Sequence, residues 1–501
     1  MTAPNILLIM ADQLAPHFTG AYGHKVVKTP HLDALADRGM RFDAAYCNSP
    51  LCAPSRFSFM SGQMVSKIGA YDNASEFPAS IPTFAHYLKS LNYSTCLSGK
   101  MHFVGPDQMH GFESRVTTDI YPSDFAWTPN WEQADERIDK WYHNMQTVKE
   151  SGMTMASFQI DYDDEVEFAA KRKLFDYARD GTKPWCMVAS FIHPHDPYVA
   201  RPEWWNLYSD DDIDMPRHPG YATDPFGKRV LEGIEANSKP LTDEEIRRAR
   251  RAYYANVSYF DSKIGALVQT IEEMGQMDNT IIIVTADHGD MLGEKGLWYK
   301  MNFFEHAARV PLIMAGPGVA QGHTTNACSL VDLLPTMVEI GGGSPEMFGT
   351  PVDGRSLMAL ARGENDDVSE AIGEYCAEMT GHPVFMIRRG DMKYIHCDSD
   401  PAQLYDVVND PWERENLAEN PAYKLLAESF AKEVAERWDS VALRQKVMDT
   451  QKNRFALNAA MQAGASEHWD YNPPSDAAHQ YVRNHMDWTM VADRFRFPPV
   501  R

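Results

Sequence analysis

The sequence predicts an α/β fold: a large, doubly wound, mixed but mostly parallel sheet sandwiched by helices, with a smaller C-terminal α+β domain and an extended tail. Short, continuous apolar runs, typical of strands buried on both faces, alternate with helical patterns over about 360 residues. Polar motifs follow these runs directly, where open α/β sheets place their sites. A change to hairpin-like patterns near residue 371 predicts the smaller antiparallel domain.

The first strand and the first helix are clearly marked. Residues 5–11 are apolar apart from the first, and the run ends at Asp12, so we expect a buried strand. Residues 29–39 carry a capping threonine, a proline in the first turn, an apolar stripe and a closing glycine, which together indicate a helix. The pattern then repeats, with a helix at 81–91 and strands at 93–99, 184–191, 280–285 and 310–315.

The C-terminal part of the chain has a different pattern. Residues 385–395 are typical of a hairpin, and 403–407 of a further strand. A turn at 409–417 leads into a helix predicted at 422–442. We therefore predict three parts, the last of which packs on another surface such as a neighbouring subunit: a large domain over 1–370, an α+β subdomain over 371–446 and an extension over 447–501.

Composition limits the partners that the protein can have. Lysine and arginine (47) are outnumbered by aspartate and glutamate (70), and the formal net charge of −23 repels nucleic acid and anionic lipid. We expect neither as a partner, although a locally positive site for a small anion is compatible with this charge. No export signal precedes the first strand, and the seven cysteines are widely spread without a CxxC pair. These features predict a cytoplasmic protein with reduced thiols.

Metal-ligand side chains follow two of the predicted strands. Asp12 comes directly after the first strand, and Asp287 and His288 follow the strand at 280–285. Neighbouring strand ends share one crevice in a doubly wound sheet, so these side chains can converge. Carboxylates with one imidazole suit a hard divalent cation, with Ca²⁺ as the first expectation and Mg²⁺ or Mn²⁺ as alternatives. An isolated aspartate at a strand end is otherwise a helix cap or a solvated loop residue.

Cationic side chains also follow the predicted strands. Lys100, His102, His193 and Lys300 each lie in a segment that comes after one of these strands. Each residue alone is more commonly an ordinary surface or core residue. Together they predict a pocket that neutralises an anion.

The most specific motif is C-A-P-S-R at residues 52–56, followed by a Ser-Gly step at 61–62. It resembles the modification signature of type I sulfatases, which belong to the alkaline phosphatase superfamily. The resemblance implies that Cys52 is oxidised to Cα-formylglycine by a dedicated maturation enzyme, and that the hydrated aldehyde is the nucleophile. It also implies that Arg56 belongs to the catalytic site.

The strand-end motifs resemble the metal-binding motifs of the same superfamily. Many sulfatases have Asp-Asp after the first strand and Asp-Asn in the second motif, whereas this chain has Gln13 and His288 at the second positions. That combination is similar to the choline sulfatase and phosphonate monoester hydrolase branches. The metal ligands that the resemblance implies are Asp12, Gln13, Cys52, Asp287 and His288.

The chain is most similar to the choline sulfatase branch, over essentially its whole length. The matching runs lie at 99–102, 104–108, 110–113, 118–122, 141–144, 193–200, 301–305 and 483–486. The resemblance implies hydrolysis of choline sulfate by a homo-oligomer, either a dimer or a tetramer. The acidic tail residue that reaches a neighbouring subunit in this branch is not cleanly matched, since Asp487 lies close by and Thr489 stands in its place.

The resemblance also implies a site for the choline group. Trp127 and Asn144 would contact choline, and Glu378 would be its anionic partner. Aromatic faces and carboxylates are what a trimethylammonium group prefers. For the aromatic residues of this segment, the alternative is ordinary core packing. The aromatic residues that crowd it are Trp127, Trp131, Trp141 and Tyr142.

The implied mechanism is an in-line attack of one formylglycine hydroxyl on sulfur, after which the second hydroxyl expels sulfate and restores the aldehyde. Arg56, Lys100 and Lys300 would neutralise the sulfonyl oxygens, and His193 or His102 would protonate the leaving alcohol. The alternative enzyme is a phosphonate monoester or phosphodiester hydrolase, or an arylsulfatase, of the same superfamily. A catalytically inactive binding protein is the alternative from another class.

Overall fold

The computed structural model describes residues 3–134, 143–218, 220, 222–465, 468–475 and 487–498. Its strands are β1 (Asn5–Asp12), β2 (Met40–Phe42), β3 (Ala45–Tyr46), β4 (Ser94–Gly99), β5 (Ser114–Arg115), β6 (Gly152–Met153), β7 (Trp185–Pro194), β8 (Val199–Ala200), β9 (Thr280–Ala286), β10 (Leu312–Ala315), β11 (Gly322–Thr324), β12 (Cys328–Ser329), β13 (Glu370–Tyr375), β14 (Val384–Arg389), β15 (Met392–Cys397) and β16 (Asp400–Asp406).

The α-helices of the described residues alternate with these strands. They are α1 (Pro30–Asp37), α2 (Cys52–Ser61), α3 (Val65–Ile68), α4 (Phe84–Ser90), α5 (Gln146–Lys149), α6 (Phe158–Asp180), α7 (Pro202–Trp205), α8 (Pro225–Gly233), α9 (Asp243–Glu273), α10 (Glu305–Ala308), α11 (Leu333–Ile340), α12 (Met358–Ala361), α13 (Lys424–Arg437), α14 (Ser440–Ala463) and α15 (Trp488–Phe495).

The central sheet has eight strands in the order β11-β2-β10-β9-β1-β7-β4-β5. β1 pairs in parallel with both of its neighbours, so that Leu8 lies beside Val188 on one side and Ile283 on the other. β10 runs antiparallel to β9 and to β2, which makes the sheet mixed but mostly parallel. Every residue of β1, β7 and β9 is buried, as expected of strands that are covered on both faces.

Long helices pack on this sheet, and a side chain of one of them caps a neighbouring helix. α6 and α9 have 23 and 31 residues, and both pack against β7. α9 begins with a capping box in which Thr242 and Glu245 exchange hydrogen bonds between side chain and backbone. The first turn of α1 is capped from outside, because Asp261 of α9 accepts hydrogen bonds from the backbone N–H groups of His31 and Leu32.

The carboxyl ends of four neighbouring parallel strands lie side by side. β4 ends at Gly99, β7 at Pro194, β1 at Asp12 and β9 at Ala286. The polar segments that follow these strands therefore meet along one edge of the sheet. This edge is the crevice in which the sequence predicts a functional site.

A separate four-stranded antiparallel sheet runs in the order β13-β14-β15-β16. α13 packs on it, with the ring of Phe430 stacked on Tyr394 at 5.4 Å between centroids. The large mixed sheet with its helices and this smaller antiparallel sheet confirm the predicted fold class. The domain boundaries at residues 370 and 446 stay a prediction.

The single helix predicted at 422–442 is wrong in its C-terminal part. α13 ends before Trp438, whose backbone is extended, and α14 begins after Asp439. The Trp438 ring stacks on Phe385 at 4.5 Å, and its indole N–H donates to Glu374 at 2.6 Å. These contacts hold the extended residue between the two helices. α14 then runs for 24 residues, into the segment that the sequence indicated only as an extension.

The seven cysteines are all buried and unpaired. Burial raises the pKa of the Cys96 thiol to about 11, so this side chain packs as a small neutral group. Among the helices of the described residues, none has the length and apolar composition that crossing a bilayer requires.

Candidate active site

The candidate nucleophile, Cys52, is the first residue of α2. Leu51 precedes it in extended conformation, and Gly62 ends the helix with a left-handed φ of +66°. All ten residues of α2 are buried. The first turn of a helix presents unpaired backbone N–H groups and the positive end of the helix dipole. An anionic group at position 52 is therefore favoured by the helix that carries it.

Cys52 lies within a compact group of metal-ligand side chains. Its Sγ is 3.3 Å from Nε2 of His288 and 3.8 Å from Oδ1 of Asp12. The same His288 nitrogen is 3.9 Å from Asp12 and 3.7 Å from Oδ1 of Asp287. All four side chains are buried, and their ligand atoms lie within 4.8 Å of one another. These separations are those of neighbouring ligands bound to one divalent cation at roughly 2.3–2.6 Å, so the group fits such an ion.

His288 turns an unprotonated nitrogen towards this group. Its Nδ1 lies 3.0 Å from the carbonyl oxygen of Gly289 and donates to it, which leaves a lone pair on Nε2. Burial lowers the pKa of His288, while Asp287 opposes this shift and Lys300 adds to it. A neutral imidazole whose second nitrogen is held by a carbonyl group is the usual form of a histidine metal ligand.

Arg56 holds the two carboxylates of the group. Its Nε donates to Asp287 at 2.8 Å, and its Nη2 donates to Asp12 at 3.1 Å. Its Nη1 donates to the carbonyl oxygen of Lys100 at 2.7 Å and to the hydroxyl of Ser190 at 2.8 Å. All three guanidinium nitrogens already donate to groups of the protein. The geometry therefore favours a role for Arg56 in positioning the carboxylates, whereas the sequence predicted direct contact with the substrate oxygens.

Lys100 forms a fully buried ion pair with Asp12. Its ammonium group also lies 4.3 Å from the centre of the Tyr121 ring. Burial alone would raise the pKa of Asp12, but the facing charges of Lys100, His195 and Arg56 hold it well below its usual value. Asp12 is therefore ionised at neutral pH, as a metal-binding carboxylate has to be.

Lys300 is linked to Gln13, the residue after Asp12. Its Nζ donates to Oε1 of Gln13 at 2.6 Å and lies 2.8 Å from Nε2 of His195. The Gln13 amide nitrogen donates in turn to Asp290 at 2.8 Å. Gln13 has a left-handed φ of +67°, which is uncommon for a residue with a side chain. Its amide is thus held in one orientation, and its role as a metal ligand stays a prediction.

His195, rather than the predicted His193, contacts the other candidate residues. His195 Nε2 meets Lys300, as described above, and lies 3.5 Å from the hydroxyl of Tyr121. The His193 ring is directed to Asp163, 2.7 Å from its Nδ1, and packs edge-on against Tyr259. The Nε2 of His193 has no hydrogen-bond partner among the described residues, so its role as a proton donor stays a prediction. Sequence reasoning missed His195 because the contacts of each histidine depend on the path of the chain at the end of β7, which no local pattern reports.

His102 combines deep burial with unused hydrogen-bonding capacity. Both of its ring nitrogens lack a hydrogen-bond partner among the residues that the structure describes. Its backbone has a left-handed φ of +59°. Burial, reinforced by Lys100, lowers the pKa of His102 to about 3, so the ring is neutral near pH 7. Such a ring can exchange hydrogen bonds with a bound molecule.

Two aromatic rings flank His102. Trp127 meets it edge-on at 5.9 Å between centroids, and Tyr121 lies 5.0 Å away. The Trp127 and Tyr121 rings are 5.2 Å apart. The structure therefore places the predicted Trp127 beside a predicted catalytic residue, together with Tyr121, which sequence reasoning did not single out.

Glu378 is a buried carboxyl group, and its Oε2 has no hydrogen-bond partner within the described part of the chain. Burial raises its pKa to about 7, with Asp72 adding to the shift and Lys300 opposing it. A buried carboxylate oxygen without a donor is costly, and a nearby cation stabilises it. Glu378 has the character expected of the anionic partner of a bound cationic group.

The side chains of Asn144 and Trp131 both form hydrogen bonds with the backbone of the protein. The Asn144 side-chain oxygen accepts from the backbone N–H of Gln146 at 2.9 Å, and its carbonyl oxygen accepts from the hydroxyl of Tyr299 at 2.7 Å. Trp131 is part of the core beside the small sheet, and its indole N–H donates to the carbonyl oxygen of Ala377 at 2.7 Å. For Trp131, core packing is the correct alternative.

The other sequence predictions concern residues 141–142 and the C-terminal tail. Trp141, Tyr142 and the run 483–486 lie outside the described residues. Asp487 is exposed and caps α15, accepting a hydrogen bond from the backbone N–H of Thr489 at 2.8 Å.

The arrangement combines three chemical capacities. The carboxylates and the imidazole around position 52 suit a divalent cation. Lys100 and Lys300 are buried cations beside the start of α2, and buried charges attract an anion strongly. Neutral His102 can form hydrogen bonds to a bound molecule, and the neighbouring His195 lies beside the Lys300 ammonium group, a proton donor. Together these groups suit nucleophilic displacement at a tetrahedral, anionic ester.

Three family models match the sequence. The model described as Sulfatase matches residues 4–343. The model of the N-sulphoglucosamine sulphohydrolase C-terminal region matches residues 293–439, and that of the choline sulfatase C-terminal region matches residues 445–497.

Known proteins are similar along most of the chain. A choline-sulfatase of Rhizobium meliloti (strain 1021) is 44% identical, over 99% of this chain and 98% of its own. An arylsulfatase of Clostridium perfringens is 26% identical, over 83% of this chain and 92% of its own. The crystal structure of a phosphonate monoester hydrolase of Agrobacterium radiobacter has a TM-score of 0.70 at 22% identity, over 89% of this chain and 96% of its own. This last similarity concerns the fold alone.

Proposed function

We propose that this chain, which belongs to the sulfatase family, hydrolyses choline-O-sulfate to choline and inorganic sulfate. The observation that carries the proposal is the full-length similarity to a choline-sulfatase, which includes the C-terminal region specific to that branch. The buried cations Lys100 and Lys300, together with the unpaired Oε2 of Glu378, support a substrate that is anionic at one end and cationic at the other.

Cys52 is the residue that a maturation enzyme converts to Cα-formylglycine. The hydrated aldehyde supplies one hydroxyl that bonds to sulfur as the alcohol leaves, and a second whose deprotonation expels sulfate and restores the carbonyl group. The position of Cys52 at the start of α2, beside Asp12 and His288, supports this role.

The divalent cation is held by Asp12, Gln13, Asp287 and His288 together with the modified side chain. Ca²⁺ is the ion that this oxygen-rich set favours, with Mg²⁺ and Mn²⁺ as alternatives. When bound, such an ion activates a hydroxyl nucleophile and stabilises charge on ester oxygens.

The protein's own cations and imidazoles complete the reaction. Lys100 and Lys300 neutralise the sulfate oxygens, and Arg56 keeps the carboxylates in place. The leaving alcohol takes its proton from His102 or His195. The free ring nitrogens of His102 support the first assignment, because a bound sulfate ester adds a negative charge beside the ring and so favours its protonated form. The Lys300 ammonium group, 2.8 Å from Nε2 of His195, supports the second as a source of the proton.

The choline group binds between Trp127, Asn144 and Glu378. The face of an indole ring attracts a trimethylammonium group, and a desolvated carboxylate adds a charge–charge attraction. The place of Trp127 beside His102 and the unused oxygen of Glu378 support this assignment.

Relative rates test the substrate. We expect kcat/KM for choline sulfate to exceed that for 4-nitrophenyl sulfate and for a phosphonate monoester by roughly tenfold or more, because only choline sulfate engages the cation site. One preparation is used for all three substrates, so that the fraction of unmodified enzyme lowers all three kcat/KM values equally and cancels from their ratios. An equal or higher value for the phosphonate monoester would instead assign the chain to that hydrolase class.

The modification is tested by mass spectrometry of the peptide that contains Cys52. Conversion replaces a CH₂–SH side chain by CHO and so lowers the peptide mass, and the fraction converted should scale with specific activity. Full activity in material with wholly unmodified Cys52 would contradict the proposed nucleophile.

The enzyme acts in the cytoplasm as a homo-oligomer, a dimer or a tetramer, with residues 447–501 contributing to the association. The free cysteines support a reducing compartment. Large apolar side chains exposed on the C-terminal helices support self-association, and these are Leu425, Val441, Leu457, Trp488 and Met490. Sedimentation at several protein concentrations measures the state, and a monomer throughout would contradict the assignment.

A further inference from the structure

The segment that carries Tyr121 and Trp127 has no regular secondary structure of its own. No helix or strand interrupts residues 116–130, between β5 and the short helical turn at Trp131. Without a hydrogen-bond ladder, the placement of such a segment depends on contacts from other parts of the chain. The positions of the Tyr121 and Trp127 rings, which flank His102, therefore depend on these contacts from other parts of the chain.

The chain after α14 supplies contacts at the middle of this segment. Oδ1 of Asp470 accepts hydrogen bonds from the backbone N–H and the hydroxyl of Ser123, at 3.0 and 2.9 Å. The neighbouring Trp469 ring packs edge-on against Phe125, with 5.3 Å between centroids. Ser123 and Phe125 are buried and lie between Tyr121 and Trp127 in the sequence.

A further contact reaches the start of the segment. The Tyr471 hydroxyl donates to the carbonyl oxygen of Arg115 at 3.0 Å, and the Arg115 guanidinium lies 5.0 Å from the centre of the Tyr471 ring. Arg115 donates to Asp119 at 2.7 Å. Asp119 accepts hydrogen bonds from the backbone N–H groups of Met101 and His102, at 3.0 and 2.9 Å. The tail is thus connected through two side chains to the backbone of a candidate catalytic residue.

α14 holds the end of the same segment. The side-chain oxygen of Gln451 accepts from the backbone N–H of Trp131 at 2.9 Å, and Arg454 donates to the hydroxyl of Thr128 at 3.3 Å. Contacts from α14 and the chain after it are therefore distributed along residues 115–131, on both sides of Trp127.

We propose that residues 469–471 are positioning residues that set the selectivity for a cationic leaving group. They do so by bracing residues 115–131, which include the segment 116–130 with Tyr121 and Trp127. The inference rests on the proposed function, since it assigns Trp127 to the choline group. Loosening the brace at Trp469 and Asp470 moves the aromatic rings, while Tyr471 keeps its contact with Arg115 and so the connection to His102. The nucleophile, the metal ligands and the two lysines make no contact with Trp469 or Asp470 among the hydrogen bonds and ring contacts described above. The loss should therefore fall on substrates with a quaternary ammonium group, and not on aryl sulfates.

The test variant is Trp469→Ala combined with Asp470→Ala. We expect the ratio of kcat/KM for choline sulfate to that for 4-nitrophenyl sulfate to fall roughly tenfold, mainly through KM, as two hydrogen bonds and one ring contact are lost. Tyr471→Phe, which keeps the ring over Arg115 and loses only the hydroxyl, should give a smaller fall. Asp449→Asn, at an exposed position of α14 where the carboxylate accepts a hydrogen bond from Gln445, is the matched control and should leave the ratio unchanged.

Hydrogen exchange separates this inference from the proposed function. In the double variant, backbone amides of residues 116–128 should exchange faster than in the native protein, whichever substrate the enzyme uses. Unchanged exchange, or an equal loss for both sulfate esters, would overturn the brace. A native enzyme without preference for choline sulfate would instead overturn the proposed function.

Discussion

At the residue scale, the side chain at position 52 decides how a transferred sulfo group is released, because serine has one hydroxyl and hydrated formylglycine has two. We expect Cys52→Ser to accept a sulfo group and then to release it slowly, because a serine ester requires attack of water at sulfur, whereas a gem-diol collapses to an aldehyde. Intact-mass spectrometry after incubation with substrate should show a covalent adduct, with turnover reduced by several orders of magnitude. Cys397→Ser, on the small sheet, is the control and should turn over normally. Full turnover by Cys52→Ser would contradict the mechanism.

The raised pKa of Glu378 predicts a pH effect on substrate affinity. Burial raises this pKa to about 7, so the carboxyl group is ionised above that pH and neutral below it. A quaternary ammonium group binds the ionised form, and KM for choline sulfate should therefore rise as the pH falls from about 8 to about 6. Glu378→Gln should have a higher KM that no longer changes over this range. A variant that keeps the native KM profile would remove Glu378 from the choline site.

Asp290 should control the orientation of Gln13. It accepts from the Gln13 amide at 2.8 Å and from the Tyr198 hydroxyl at 2.7 Å. In Asp290→Ala the buried amide keeps only its long hydrogen bond to Asp196, at 3.4 Å, so its oxygen is held less firmly towards Lys300. We expect kcat to fall roughly ten- to a hundredfold. Tyr198→Phe leaves the Gln13 bond intact and should have a much smaller effect. Equal kcat values in both variants would show that the Gln13 orientation does not depend on Asp290.

The identity of the site residues could be predicted better than their roles. Asp12, Asp287 and His288 meet at Cys52 because parallel neighbouring strands end at one edge, which a sequence pattern can indicate. The direction of a long side chain is set by packing, so the ion pairs of Arg56 with the carboxylates could not be foreseen. The same holds for the positive φ values at Gln13, His102, Tyr299 and Met301, since strained backbone at a site is imposed by the surrounding structure.

At the element scale, α14 is anchored by one buried ion pair. Arg454 donates to both carboxylate oxygens of Asp72, at 2.6 and 2.7 Å, and both side chains are buried. Arg454→Met should lower the free energy of unfolding by about 3–5 kcal/mol, because an unpaired carboxylate remains in the core. Removing both charges, in Asp72→Asn with Arg454→Met, should recover most of this loss. Urea denaturation of the single and double variants measures the difference, and an additive loss would contradict the coupling.

Long elements could be predicted from the sequence, and short ones could not. β1, β7 and β9 have seven to ten buried residues each, and so leave a clear apolar run. β2 and β11 have three residues each, too few to establish a period, although they form one edge of the central sheet. The break between α13 and α14 depends on the contacts of Trp438 with residues more than 50 positions away, which no local pattern reports.

At the scale of the whole molecule, binding of a divalent ion should stabilise the fold. The candidate ligands come from the ends of β1 and β9 and from α2, which are distant in sequence, so one ion links them. Calorimetry after EDTA treatment should show a Tm that rises with added Ca²⁺, equivalent to about 2.7 kcal/mol at a hundredfold excess over Kd. Mg²⁺ and Mn²⁺ provide the comparison. Asp287→Asn should lose the shift, and a shift that persists in this variant would place the ion elsewhere.

The burial of α2 has a consequence for how an active molecule is made. Every residue of this helix is buried, and Cys52 is 1% exposed, so no second enzyme can reach its sulfur in the folded protein. Under the proposed mechanism, oxidation of this residue therefore has to precede closure of the central sheet around it. In that case folding and oxidation compete kinetically, and we expect a chain that folds first to stay inactive until it unfolds. The specific activity of a preparation therefore records the ratio of two rates in the producing cell.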